Sequence, residues 1–180
     1  MSAIEPPQAQ LKQMITPHLD AAYNLARWLA GNDTDAENIA LQACLRALRL
    51  PGACLGANSR TWLLAIIRNT AYAWLRQHRP EALVSIGDER HGELGNPMAL
   101  SNHVFPLHEA HRDLLRAGMA SLPAEFRETL ILRELEALSY KEIADITEVP
   151  IGTVMSRLAH ARKQLLEYLD RKKGSQNDLP

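Results

Sequence analysis

Near the C-terminus, Ser156, His160 and Lys163 recur at steps of four and three, which lines up a hydroxyl, an imidazole and an ammonium along one helix. Thr153 and Arg157 flank that line, and no acidic residue occurs from Val149 to Leu166. Such groups can donate hydrogen bonds and positive charge to a polyanion, which is what reading duplex DNA through its major groove requires. A second set lies earlier. Arg68, Tyr72, Arg76 and Arg79 recur at steps of four, four and three, with Asn69 beside Arg68 and with Asn58 and Arg60 ahead of them. Cations for phosphates, with a ring between them for an unpaired base, make a surface for single-stranded nucleic acid. The bland alternatives are a solvated helix face with one amphipathic tyrosine and, near the C-terminus, a helical hairpin with a solvated basic face.

Bond-making chemistry finds no comparable support. No Ser-His-Asp set, carboxylate pair or glycine-rich phosphate loop stands at a working spacing. The seven histidines are scattered, and His103, His108 and His111 read as a linker and helix-start cluster rather than metal ligands. Cys44 and Cys54 lie ten positions apart without a C-x-x-C pattern, so a buried thiol and a loop thiol in a reducing compartment are expected. The chain is not expected to be an enzyme, and no metal, cofactor or small-molecule substrate is implied.

The elements that must position the two sets are helices. Ser139 and Glu142 form the S-x-x-E box that starts one, with Ile143, Ala144 and Ile146 on its apolar face. Thr147-Glu148-Val149 is short enough only for a turn, and Pro150 suits the first position of the next helix. There Ile151, Val154, Leu158, Ala161, Leu165 and Leu169 predict one buried stripe, leaving Ser156, His160 and Lys163 opposite. A short helix, a turn and a longer helix with a small, polar, cationic face is the pattern of a DNA-binding helix-turn-helix. Ahead of it, helices are predicted over 108–120 and 124–138, the latter with Phe126, Leu130, Ile131 and Leu135 inward.

In the N-terminal half, residues 1–10 read as an extended lead-in, with Thr16-Pro17 opening a helix that ends at Gly31-Asn32. Thr34-Asp35-Ala36-Glu37 opens a second over 35–50, with Ile39, Leu41, Leu45 and Leu48 inward. Residues 51–59 are a loop by composition, and 60–79 form a helix with Leu63, Ile66, Ile67, Thr70 and Trp74 buried. Periodicity then collapses between Pro80 and Pro106 into Gly, Pro and acid, which predicts a linker. The expected organisation is all-α: a helical domain over 11–80, a flexible linker over 81–107 and a second helical domain over 108–170.

The 46% hydrophobic and 5% aromatic content suits helical cores built from Leu, Ala and Ile. A net charge of −1 looks wrong for a nucleic-acid binder until it is mapped. Residues 113–170 hold seven Lys/Arg against ten Asp/Glu, whereas 60–80 hold four arginines and no carboxylate. Separate basic faces on a neutral chain fit a protein that docks on DNA as part of a larger assembly. The N-terminus shows no signal-peptide pattern and no apolar run is long enough to span a membrane, so a cytoplasmic protein is expected.

Taken together, these stretches resemble a bacterial sigma factor of the extracytoplasmic-function (ECF) type. Leu122-Pro123, Phe126-Arg127, Leu132-Arg133-Glu134, Leu138-Ser139-Tyr140, Glu142-Ile143-Ala144, Pro150-Ile151-Gly152-Thr153-Val154 and Ser156-Arg157-Leu158 look like that family's fourth conserved region. Asp35-Ala36-Glu37, Thr61-Trp62-Leu63-Leu64 and Ile67-Arg68-Asn69 look like its second. The resemblance implies a transcription initiation factor that binds core RNA polymerase and promoter DNA and is held inactive by an anti-sigma factor. It implies polymerase contacts at Asp35, Glu37, Asn38, Gln42 and Arg46. It also implies −35 contacts at Thr153, Ser156, Arg157, His160 and Lys163, and −10 contacts at Asn58, Arg60, Arg68, Asn69, Tyr72 and Arg76, with a flipped base read by the loop over 50–59. The chain departs from the family pattern at Asn38, Leu41 and Gln42, which weakens the acidic clamp-binding face. It departs again at Ala73, where Asp or Asn is common, and at Met155 and His160, where Arg or Lys is common. A sigma-like decoy for an anti-sigma factor would suit the weakened face. A free-standing helix-turn-helix regulator is the other class, against which the complete N-terminal half argues.

Overall fold

The computed structural model describes residues 7–50, 58–83 and 109–177, and these are all helical or turn, without a strand. The order is α1 (Pro7–Ile15), a 3-10 turn (Thr16–His18), α2 (Leu19–Ala30), α3 (Asp33–Leu48) and α4 (Ser59–His78), closed by a 3-10 turn (Pro80–Leu83). After a segment outside the described residues come α5 (Glu109–Ser121), α6 (Ala124–Glu134), α7 (Tyr140–Thr147) and α8 (Ile151–Asn177). The lead-in expected over 1–10 is therefore helical from Pro7. The linker expected over 81–107 begins in the second 3-10 turn and lies otherwise outside the described residues.

α2, α3 and α4 form a three-helix bundle, with α1 packed against α3 and α4. Its corner is set by Gly31, whose φ of 78° only glycine adopts without strain and whose N–H closes on the Arg27 carbonyl at 2.9 Å. Asn32 then caps α3, accepting the Asp35 N–H at 2.8 Å, so the helix opens two residues before the Thr34-to-Asp35 start expected from sequence.

α3 corrects the sequence reading most plainly. Its buried row is Ala36, Ile39, Ala43 and Ala47, while Leu41 and Leu45 are 61% and 47% exposed. The reason is spacing between helices. Three helices that cross closely need small side chains at the crossing, and the alanines supply them. The leucines are displaced to the outside.

In the C-terminal half, α6, α7 and α8 pack around Leu130, Ile131, Ile143, Ile146, Val154 and Leu158, with α5 against α8. α6 stops at Glu134, short of the expected 138, and the chain reverses through Ala137 at φ 52° before Ser139. On α8 the stripe is buried at Val154, Leu158 and Ala161, but Ile151 stands 45% exposed in the first turn. Leu165 and Leu169 are only half-buried. Pro150 acts as the cap, its carbonyl accepting the N–H groups of Thr153 and Val154, one position earlier than expected.

The two halves meet. α6 lies on α2, and α7 lies on α4. Arg127 of α6 is buried in the joint, donating to the carbonyls of Met119, Ala120 and Leu122 at 3.0 Å and reaching the Trp28 carbonyl at 3.4 Å. It thus ties the last turn of α5 to the last turn of α2, where helix carbonyls lack partners of their own.

Candidate nucleic-acid interface

The helix-turn-helix is built as its residues dictate. Ser139 Oγ accepts the Glu142 N–H at 3.2 Å while Glu142 Oε2 accepts the Ser139 N–H at 2.8 Å, a complete capping box. These bonds to the charged form hold the Glu142 carboxyl below its ordinary range. Glu148 ends α7 in the left-handed conformation, φ 57°, and α8 starts three residues later. Ser156, His160 and Lys163 all point outward from α8, with Thr153 and Arg157 half-buried at its edges. His160 is steadied by Nδ1 against the Ser156 carbonyl at 2.8 Å and by stacking on Phe126, ring centroids 5.9 Å apart. Lys163 lies 4.0 Å from Glu167, one turn on.

The second set is placed on α4 and its cap. Asn58 Oδ1 accepts the N–H groups of Arg60 and Thr61, so this residue starts the helix as well as standing at the candidate site. Asn69 and Arg76 are exposed. Arg68 and Tyr72 are not the open surface that the spacing suggested. The Arg68 guanidinium lies over the Tyr72 ring, 4.7 Å from its centroid, and donates through Nε and Nη2 to both oxygens of Glu128 at 3.0 and 3.2 Å. Glu128 is wholly buried, and burial pushes its carboxyl up against the opposing pull of Arg68. Burial and then the neighbouring Glu128 carboxylate push the Tyr72 hydroxyl up. Arg157 of α8 approaches the same carboxylate, 3.8 Å from Oε1.

The third set lies on α3. Glu37, Asn38 and Gln42 are exposed and share that side of the helix with Leu41 and Leu45. Asp35 is drawn into the cap of its own helix and lies 3.6 Å from Arg79. Arg46 donates to Thr70 Oγ1 at 3.3 Å, which joins α3 to α4. Sequence reasoning missed Glu128 and Glu136, the buried acids that meet the α4 arginines. A signal was available: Glu128 falls four residues before buried Leu132, in phase with the core. Among the described residues no three His, Cys, Asp or Glu gather to hold a metal, and no helix is long and apolar enough to cross a membrane.

Residues 14–81 match Sigma-70 region 2, and residues 112–165 match Sigma-70, region 4. An ECF RNA polymerase sigma-E factor of Escherichia coli K12 is 34% identical over 142 residues, covering 73% of this chain and 72% of that protein. The chain belongs to the ECF sigma factors. Another relative, the ECF RNA polymerase sigma factor SigE of Mycolicibacterium smegmatis, is 33% identical over 161 residues. There the match takes in 87% of this chain, which spans 60% of the relative's length. Among solved structures, the sigma factor RpoE in complex with the anti-sigma factor NepR from Bartonella quintana aligns at TM-score 0.70 and 26% identity. That alignment covers 89% of this sigma factor and 97% of the solved chain. CnrH, in complex with the cytosolic domain of CnrY, shares the fold at TM-score 0.63 and 20% identity, over 91% and 90% of the two chains.

Proposed function

We propose that this sigma factor binds core RNA polymerase and directs promoter-specific initiation by reading a −35 duplex and a melted −10 strand. The observation that carries the reading is the outward face of α8. It is acid-free from Val149 to Leu166 and is set on a capped helix-turn-helix within the region 4 match. Thr153, Ser156, Arg157, His160 and Lys163 are assigned to the −35 major groove. Asn58, Arg60, Arg68, Asn69, Tyr72 and Arg76, within the region 2 match, are assigned to the unpaired −10 strand. Asp35, Glu37, Asn38, Gln42 and Arg46 on α3 are assigned to the polymerase. The domains are assigned to 11–80 and 108–170, joined over 81–107. An anti-sigma factor is a further expected partner, since two solved relatives are complexes of a sigma factor with NepR and of CnrH with CnrY. The protein acts in the cytoplasm and by binding alone, not as an enzyme.

Run-off transcription with purified core polymerase and a genomic promoter library tests this reading. Discrete start sites that need the chain support it, and their absence overturns it. A decoy that only captures an anti-sigma factor is the second reading. It is favoured by α3, where Leu41 and Leu45 share the exposed side with Asn38 and Gln42. Failure of core polymerase to retain the chain in a pull-down would select it.

A further inference from the structure

The acid concentrated in residues 113–170 has a definite destination. Arg60 Nη2 meets Glu136 Oε2 at 2.6 Å, Arg68 forks onto Glu128, and Asn58 Nδ2 donates to Glu142 Oε1 at 3.3 Å. Each of these three α4 groups is assigned above to the −10 strand, and each has found a carboxylate from α6, α7 or the turn between them. The Tyr72 ring, on which a base would stack, is already covered by Arg68 on its way to Glu128. Glu128 is 0% exposed and Glu136 7%, so neither pair is a loose surface contact. Arg157 of α8, in the same half, leans toward the same Glu128 carboxylate.

We propose that α6 and α7 act as a built-in mimic of nucleic acid: Glu128, Glu136 and Glu142 occupy the α4 positions that unpaired DNA would take. The proposal rests on the −10 reading of α4. Separation of the two halves then frees Arg68, Tyr72 and Arg60 for a single strand, while Arg157, which shares its half with Glu128, stays beside it. Buried ion pairs suit such a latch. Their mutual attraction is largely offset by lost hydration, so they fix geometry without making the closed state irreversible, while loss of one partner strongly disfavours closure.

The test uses the full chain. Glu128→Gln and Glu136→Gln are compared with wild type and with Asp145→Asn, which makes the same charge change at an exposed α7 position. Small-angle scattering reads closure, and fluorescence anisotropy reads binding of a single-stranded −10 oligonucleotide at fixed salt. Glu128→Gln should enlarge the radius of gyration and tighten the oligonucleotide by about tenfold or more, because apparent affinity scales with the open fraction. Glu136→Gln should shift both the same way, and Asp145→Asn neither. Circular dichroism checks folding, and if Glu128→Gln does not fold, Glu136→Gln decides alone. Folded variants with wild-type scattering and wild-type affinity overturn the latch, as does an equal gain in Asp145→Asn. Expansion without tighter binding shows that these pairs hold the halves closed but overturns the mimicry, together with the −10 assignment of α4.

Discussion

At the scale of single residues, the two basic faces divide cleanly only where a side chain is free of the joint between the halves. Ser156 and Asn69 are both exposed, whereas Arg68, Tyr72 and Arg157 also touch or approach Glu128. Ser156→Ala should therefore weaken binding to a −35 duplex and spare a single-stranded −10 oligonucleotide, and Asn69→Ala should do the reverse. A base-edge contact is worth about 1–3 kcal/mol, so each loss should be roughly five- to 150-fold in a titration at fixed salt. Equal weakening of both ligands by either variant would sink the assignment. The outward positions on α8 were legible in the sequence because a helix fixes its faces by spacing alone. The pairing of Arg68 with Glu128 was not, because sixty residues separate them and only tertiary packing brings them together.

Elements show the same contrast. The capping box was legible because it is local: Ser139 and Glu142 are three residues apart, and each supplies what the other's backbone lacks. Ser139→Ala should cost about 1 kcal/mol, which lowers Tm by about 2–4 °C in a chain of this length. The folded-state pKa of Glu142 lies below its ordinary 4.5, so its stabilising contribution is complete above that value and is lost as pH falls through the folded one. Acid titration of Glu142→Gln should accordingly show less loss of stability below about pH 4.5 than the wild type does. α3 was misread because hydrophobicity put leucine before alanine, whereas close helix crossing puts alanine inside. Leu41→Gln with Leu45→Gln should leave Tm within about 2 °C, as exposed substitutions do. The same double variant should reduce retention by core polymerase if this face docks there, and unchanged retention would remove α3 from the docking surface.

For the whole molecule, the decisive group is Arg127. Burial pulls its pKa down, yet it is held by four backbone carbonyls belonging to α2, α5 and the turn before α6. Bonds from a charged donor contribute about 1.5–3 kcal/mol each, and orphaned buried carbonyls cost more. Arg127→Ala should lower unfolding free energy by at least about 3 kcal/mol in urea, and Arg127→Lys should recover only part of that, since one ammonium cannot reproduce the guanidinium fork. A loss under about 1 kcal/mol would show that solvent replaces these bonds. The helical content and the matches to regions 2 and 4 were legible from periodicity and motif. The docking of α6 on α2 and of α7 on α4 left no periodic trace, since the residues that meet across it lie far apart in sequence.

The inverted packing of α3 also bears on how such a chain diversifies. Its fold is secured by four small or β-branched residues, Ala36, Ile39, Ala43 and Ala47, none of which a partner can see. Leu41 and Leu45 stand exposed, outside that buried row. If this face docks on the polymerase as proposed, duplicated copies can exchange this pair for charged or polar residues and acquire a different affinity for it without first acquiring a stabilising substitution elsewhere. Competition among paralogues for one enzyme would then be tunable by drift at two positions.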